Sequence, residues 1–201
     1  MKLSEAGVIA VIRLERPVPL AAARAIAAGG ITAIELTLTT PGALDTITAL
    51  QDSLPDCMIG AGTVLDAAQA RSAVAAGARF CVGPAYAAAV HEVCRGQEVV
   101  YLPGAFTPTE ILHAHQAGAE LIKLFPARSL GAQYLRDLLA PLPSLRLIPS
   151  GGVGLADAAS WIAAGAAAVS VGGSLIDDRN LDPATLTERA RRLVATVQSA
   201  R

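Results

Sequence analysis

Lysine is nearly missing from this chain: 16 of its residues are Lys or Arg, and only Lys2 and Lys123 are lysines. Aromatic residues make up 3 % and charged residues 16 %, with a formal net charge of -1 and no Lys/Arg-rich run. That balance lacks the electrostatic footprint that nucleic acid or an anionic membrane surface requires. No stretch approaches the roughly 20 unbroken apolar residues of a membrane helix, and Met1 to Ala6 holds no apolar leader segment, so the expectation is a soluble cytoplasmic protein. Cys57, Cys81 and Cys94 are an odd number without a C-x-x-C pair, which points to neither a disulfide framework nor a zinc site. They read as reduced core residues. His91 stands alone, and His113 and His115, two apart, face different sides of a helix, so no metal site is expected. Small-molecule chemistry is the reading left.

What the chain has in abundance is Ala, Val, Leu and Ile, within an apolar share of 53 %. Short β-branched runs alternate with longer Ala-rich segments of helical spacing, punctuated by Gly or Pro. The pattern predicts eight strands, at 8–13, 33–39, 58–60, 79–82, 99–102, 121–125, 146–149 and 168–171. The helices fall at 18–28, 43–53, 67–76, 86–95, 108–116, 132–139, 156–163 and 183–198. Glycines after many helices, Gly29-Gly30, Gly77, Gly118 and Gly165 among them, suit the left-handed C-cap conformation. Strand-helix alternation allows an open doubly wound sheet or a closed barrel. The first strand is followed by Arg13-Leu14-Glu15-Arg16-Pro17 instead of G-x-G-x-x-G, and eight units favour closure. The expectation is one (β/α)8-barrel domain over residues 1–201, small for a fold that typically takes about 250 residues. In such a barrel the chemistry sits at the C-terminal ends of the strands.

Lys123 lies inside the apolar strand Leu121-Ile122-Lys123-Leu124-Phe125, and alternation turns Leu121, Lys123 and Phe125 to one face, into the barrel. A buried lysine either finds a carboxylate or loses its proton through desolvation, and a neutral amine is a nucleophile for ketones. Glu35 is inward on the second strand, with Thr37 and Thr39, and could shuttle protons beside Lys123; a structural salt bridge is the alternative. Arg13 ends the first strand on the inward face, where a guanidinium suits a carboxylate. Gly60-Ala61-Gly62-Thr63 forms a side-chain-poor loop with one hydroxyl. Ser150-Gly151-Gly152 and Gly172-Gly173-Ser174 follow the seventh and eighth strands, where barrels frequently bind phosphate.

Together with Tyr101-Leu102-Pro103-Gly104, Thr107-Pro108-Thr109-Glu110 and Ile122-Lys123-Leu124-Phe125-Pro126-Ala127, these segments resemble the 2-keto-3-deoxy-6-phosphogluconate (KDPG) and 4-hydroxy-2-oxoglutarate aldolases over nearly the whole chain. The resemblance implies a class I aldolase, a metal-independent carbon-carbon lyase without cofactor, acting on a phosphorylated 2-keto acid to give pyruvate, and a homotrimer. It implies Lys123 as Schiff-base lysine and Glu35 as acid/base, with Thr63 on the pyruvyl carboxylate and Gly151, Gly152, Gly172, Gly173 and Ser174 on the phosphate. Thr39, Pro84, Phe125 and Ser150 complete the candidate substrate contacts. Many members carry arginine where this chain has Thr39, so Arg13 is expected to take that role. Ser150 stands where threonine is usual, which leaves the C4 epimer, 2-keto-3-deoxy-6-phosphogalactonate, open as substrate. An isomerase or decarboxylase barrel with the same phosphate loops is the rival reading, and the absence of aspartate from every strand end speaks against it.

Overall fold

Alternation along the strands sorts the chain into an inner and an outer apolar layer. The computed structural model describes residues 3–201, so Lys2 lies outside the described residues. Its strands are β1 (Val8–Ile12), β2 (Ala33–Thr37), β3 (Met58–Gly62), β4 (Phe80–Val82), β5 (Val100–Leu102), β6 (Gly104–Ala105), β7 (Ile122–Leu124), β8 (Leu147–Pro149) and β9 (Val169–Val171). The helices are α1 (Leu20–Ala28), α2 (Ala43–Ser53), α3 (Ala67–Ala75), α4 (Ala88–Gly96), α5 (Pro108–Gln116), α6 (Gly131–Leu139), α7 (Ala158–Ala163) and α8 (Pro183–Ser199). All strand pairings are parallel.

Two ladders build the sheet, β5-β4-β3-β2-β1-β9 and β6-β7-β8. They are joined at both ends. β5 and β6 are pieces of one strand interrupted at Pro103, which has no N-H to give a ladder. At the other seam Ser150 and Ser170 form a parallel bridge between the end of β8 and β9. The result is a (β/α)8 barrel. Sequence reading began β5 one residue early, at Val99, and overlooked β6, because a two-residue segment after proline carries no periodic signal. It also ran the first two strands one or two residues too far; β2 stops at Thr37, where the Thr37 and Thr40 hydroxyls meet at 3.0 Å and Thr40 accepts a hydrogen bond from Leu14 N-H.

Ile9, Ala33, Met58, Phe80, Leu121, Ile148 and Ala168 form an apolar cluster inside the barrel. Their sequence neighbours Ala10, Ile34, Ile59, Cys81, Ile122, Leu147 and Val169 belong to the outer layer under the helices. All three cysteines are free and buried. Helix ends follow the expected chemistry: Gly30, Gly77, Gly118 and Gly165 have positive φ. Gly29 serves a different purpose, since a Cβ there would overlap Ala190 on α8 and lie 2.6 Å from the Thr187 carbonyl oxygen. Thr107 and Glu110 form a reciprocal capping box at the start of α5, so this stretch of the motif anchors a helix. No helix among the described residues is long and apolar enough to cross a membrane.

Candidate active site

Two residues beyond Ala33, Leu121, Ile148 and Ala168 of the apolar floor, the interior turns polar with Glu35, Lys123, Ser150 and Ser170. Glu35 on β2 stands in register with Val11 and Gly60, and Lys123 on β7 with Gly104 and Ile148. Glu35 is completely buried and Lys123 is 6 % exposed. Lys123 Nζ sits 4.9 Å from the centroid of the Phe125 ring and lines a cavity of about 300 Å³ at the C-terminal end of the strands. Arg13, Phe125, Ser150, Gly151, Gly152, Gly172, Gly173 and Ser174 line the same cavity. Nine of the residues singled out from sequence therefore meet at one place, drawn from β1, β7 and the ends of β8 and β9.

Glu35 lies behind this wall, packed on Gly62. A Cβ at position 62 would overlap Glu35 Oε1 and stand 2.6 Å from its Cδ. Neither carboxyl oxygen has a hydrogen-bond partner within the protein. No salt bridge to Lys123 or Arg13 is formed among the described residues, yet both cations attract the carboxylate. Burial outweighs that attraction and holds the Glu35 carboxyl above its ordinary pKa of 4.5. Raised in this way and attracted by Lys123 and Arg13, the Glu35 carboxyl is a candidate proton-transfer group beside the cavity.

The stability consequence has a definite sign. A folded-state pKa above the unfolded one gives the native state an advantage that is complete below pH 4.5 and is lost as pH rises through the folded value. Glu35→Gln cannot titrate. Thermal midpoints of the two proteins measured across pH 4–9 should therefore diverge, the wild type losing stability relative to the variant as pH rises; parallel curves would contradict the assignment.

Arg13 Nη2 donates to Thr63 Oγ1 over 3.2 Å. Thr63 is held at φ 58°, a conformation that costs a β-branched residue roughly 1–3 kcal/mol and that collects at functional sites. Thr63 meets the cavity only through its bond from Arg13, and Thr39 and Pro84 do not line it. Thr39 Oγ1 lies 3.0 Å from Thr37 Oγ1 and borders a separate hollow beside α2 and α3. The turn after β2 carries it there, which alternation along a longer strand did not anticipate. The Pro84 carbonyl is pressed on Gly104, leaving no room for a Cβ. Two polar cavity residues escaped the sequence reading, beside the apolar Val11, Val153 and Ile176. Ser170 on β9, 2 % exposed with an unpartnered hydroxyl, was readable as the inward neighbour of Gly172 two residues on. Arg128 lies in the turn after β7, where no periodicity applies.

The family model described as KDPG and KHG aldolase matches residues 1–189. The chain belongs to the KDPG and KHG aldolase family. A 2-dehydro-3-deoxy-phosphogluconate aldolase of Treponema pallidum is 40 % identical over 165 residues, 80 % of this chain and 78 % of that protein. Among solved structures, the native KDPGal structure is 31 % identical with a TM-score of 0.89, covering 96 % of this chain and 95 % of its own. The KDPG aldolase of Legionella pneumophila, captured with pyruvate as a covalent carbinolamine intermediate, is 28 % identical with a TM-score of 0.83, covering 91 % and 93 %. This member of the family carries a lysine, an occluded glutamate and two glycine loops around one cavity.

Proposed function

We propose that the protein, as a single catalytic domain, cleaves 2-keto-3-deoxy-6-phosphogluconate to pyruvate and glyceraldehyde 3-phosphate through a Schiff base on Lys123. The observation that carries this reading is Lys123 Nζ in the cavity wall with the occluded Glu35 attracted to it from behind. Lys123 attacks the C2 ketone to form a carbinolamine. Glu35 transfers a proton to the departing hydroxyl, water leaves, and an iminium remains. Loss of the C4 hydroxyl proton then breaks the C3-C4 bond, its electron pair moving into the iminium to give an enamine. After the aldehyde departs, protonation at C3 and addition of water release pyruvate and restore the amine. No metal or cofactor enters this sequence.

Arg13 and Thr63 are the carboxylate contacts in this reading, and Phe125 and Ser150 border the substrate. Gly151, Gly152, Gly172, Gly173 and Ser174 offer backbone N-H donors to the phosphate. The first-named substrate is favoured by relatives such as the Treponema pallidum enzyme. Ser150 keeps a hydroxyl without the extra methyl of threonine, so turnover of the galactonate epimer and of 4-hydroxy-2-oxoglutarate belongs to the same proposal. A cytoplasmic homotrimer is part of it, and light scattering on the purified protein reads the trimeric state.

Incubation with pyruvate and borohydride, followed by intact mass spectrometry and peptide mapping, tests the chemistry. A reduced pyruvyl adduct on Lys123 is expected. Folded protein that acquires no adduct would move the assignment to a phosphate-binding barrel of another class.

A further inference from the structure

The proposed phosphate donors share one weakness: the two glycine loops offer oriented N-H groups but no formal charge. Of the hydroxyls there, Ser174 Oγ already donates to the Val153 carbonyl over 3.2 Å. Arg13 is turned toward Thr63. The cation that sits among the loops is Arg128. Its turn is tied to the first loop by Ala127 N-H donating to Ser150 O over 2.7 Å and Arg128 N-H donating to Gly151 O over 2.9 Å. Its side chain lies flat on Gly152, where a Cβ would stand 2.7 Å from Arg128 Cβ and 2.5 Å from Nε. The absence of a side chain at 152 is thus what makes room for the guanidinium. Arg16, Arg146 and Arg191 each hold a carboxylate, whereas the Arg128 guanidinium has no hydrogen bond or salt bridge among the described residues. No carboxylate lines the cavity.

We infer that Arg128 is the charged member of the distal anion site and sets the preference for a substrate whose far end is a phosphate dianion. The inference rests on the aldolase reading and adds a specificity residue to it. A guanidinium presents a planar fork to phosphate oxygens, and an unpaired one needs no existing ion pair broken before it binds. The glycine N-H groups orient the phosphate, and Arg128 supplies the charge that separates it from a neutral hydroxymethyl end.

The test compares wild type, Arg128→Ala and Arg128→Lys on 2-keto-3-deoxy-6-phosphogluconate and on its unphosphorylated counterpart, with circular dichroism as the folding check. The ratio of kcat/KM for the phosphorylated over the unphosphorylated substrate is expected to fall about 10- to 100-fold in Arg128→Ala, mainly through KM, and less in Arg128→Lys. Inorganic phosphate should compete at least about ten times more weakly against the alanine variant. An unchanged ratio, or a loss equal on both substrates, would overturn the assignment. If wild type cleaves neither substrate the aldolase reading fails instead, and calorimetric titration of inorganic phosphate into wild type and Arg128→Ala still decides the role of Arg128: equal affinities refute it.

Discussion

Arginine in place of Lys123 is expected to lower turnover by about four orders of magnitude or more, the scale on which loss of a covalent nucleophile acts, without unfolding the protein. The reason is chemical. A guanidinium keeps the charge and can still lie over the Phe125 ring, but its delocalised nitrogens form no imine with a ketone. Nor does the fold depend on the amine: Lys123 Nζ takes part in no protein hydrogen bond or salt bridge among the described residues, and it lies 4.9 Å from the Phe125 ring centroid. The β7 backbone that carries it is held by its ladders to β6 and β8 regardless of the side chain. Pyruvate release from the phosphorylated keto acid, measured beside the thermal midpoint, checks both halves. A variant that turns over near the wild-type rate would remove the Schiff base from the mechanism.

Gly62→Ala is expected to reduce kcat by about 10²- to 10⁴-fold, the range associated with a lost general acid or base, although residue 62 does not line the cavity. A methyl group there would overlap Glu35 Oε1 and stand 2.6 Å from Cδ and 2.7 Å from Cγ. Glu35 is fully buried, so the carboxyl must leave its position between the attractions of Lys123 and Arg13. Overpacking of this kind also costs about 1–3 kcal/mol of stability. The discriminating measurement is a double-mutant cycle with Glu35→Gln. If Gly62→Ala acts by displacing the glutamate, the double variant is no slower than Glu35→Gln alone; losses that multiply would place the effect elsewhere.

The residues readable in advance were those whose position follows from strand period alone. Lys123, Glu35 and Arg13 fall on the inward face because every second residue does, and an ionisable side chain inside an apolar strand is conspicuous. The glycine loops were readable by their place after the last two strands. Thr39 shows where the period stops helping: β2 ends at Thr37, a turn follows, and the Thr39 hydroxyl meets that of Thr37 instead of lining the cavity. Arg128 shows the complementary failure, since a turn residue has no period and its approach to Gly152 joins two loops that are far apart in sequence.

By itself the sequence determined the barrel and the family. Alternating apolar strands and helices leave few ways to bury both layers, and an inward lysine and glutamate mark the candidate site. Only the tertiary structure decided which loops share the mouth, that Gly62 leaves space for Glu35 and Gly152 for Arg128, and that Thr39 lies outside the cavity. Those outcomes depend on contacts across strands and loops, whose distances are set by how the sheet closes and not by any local pattern.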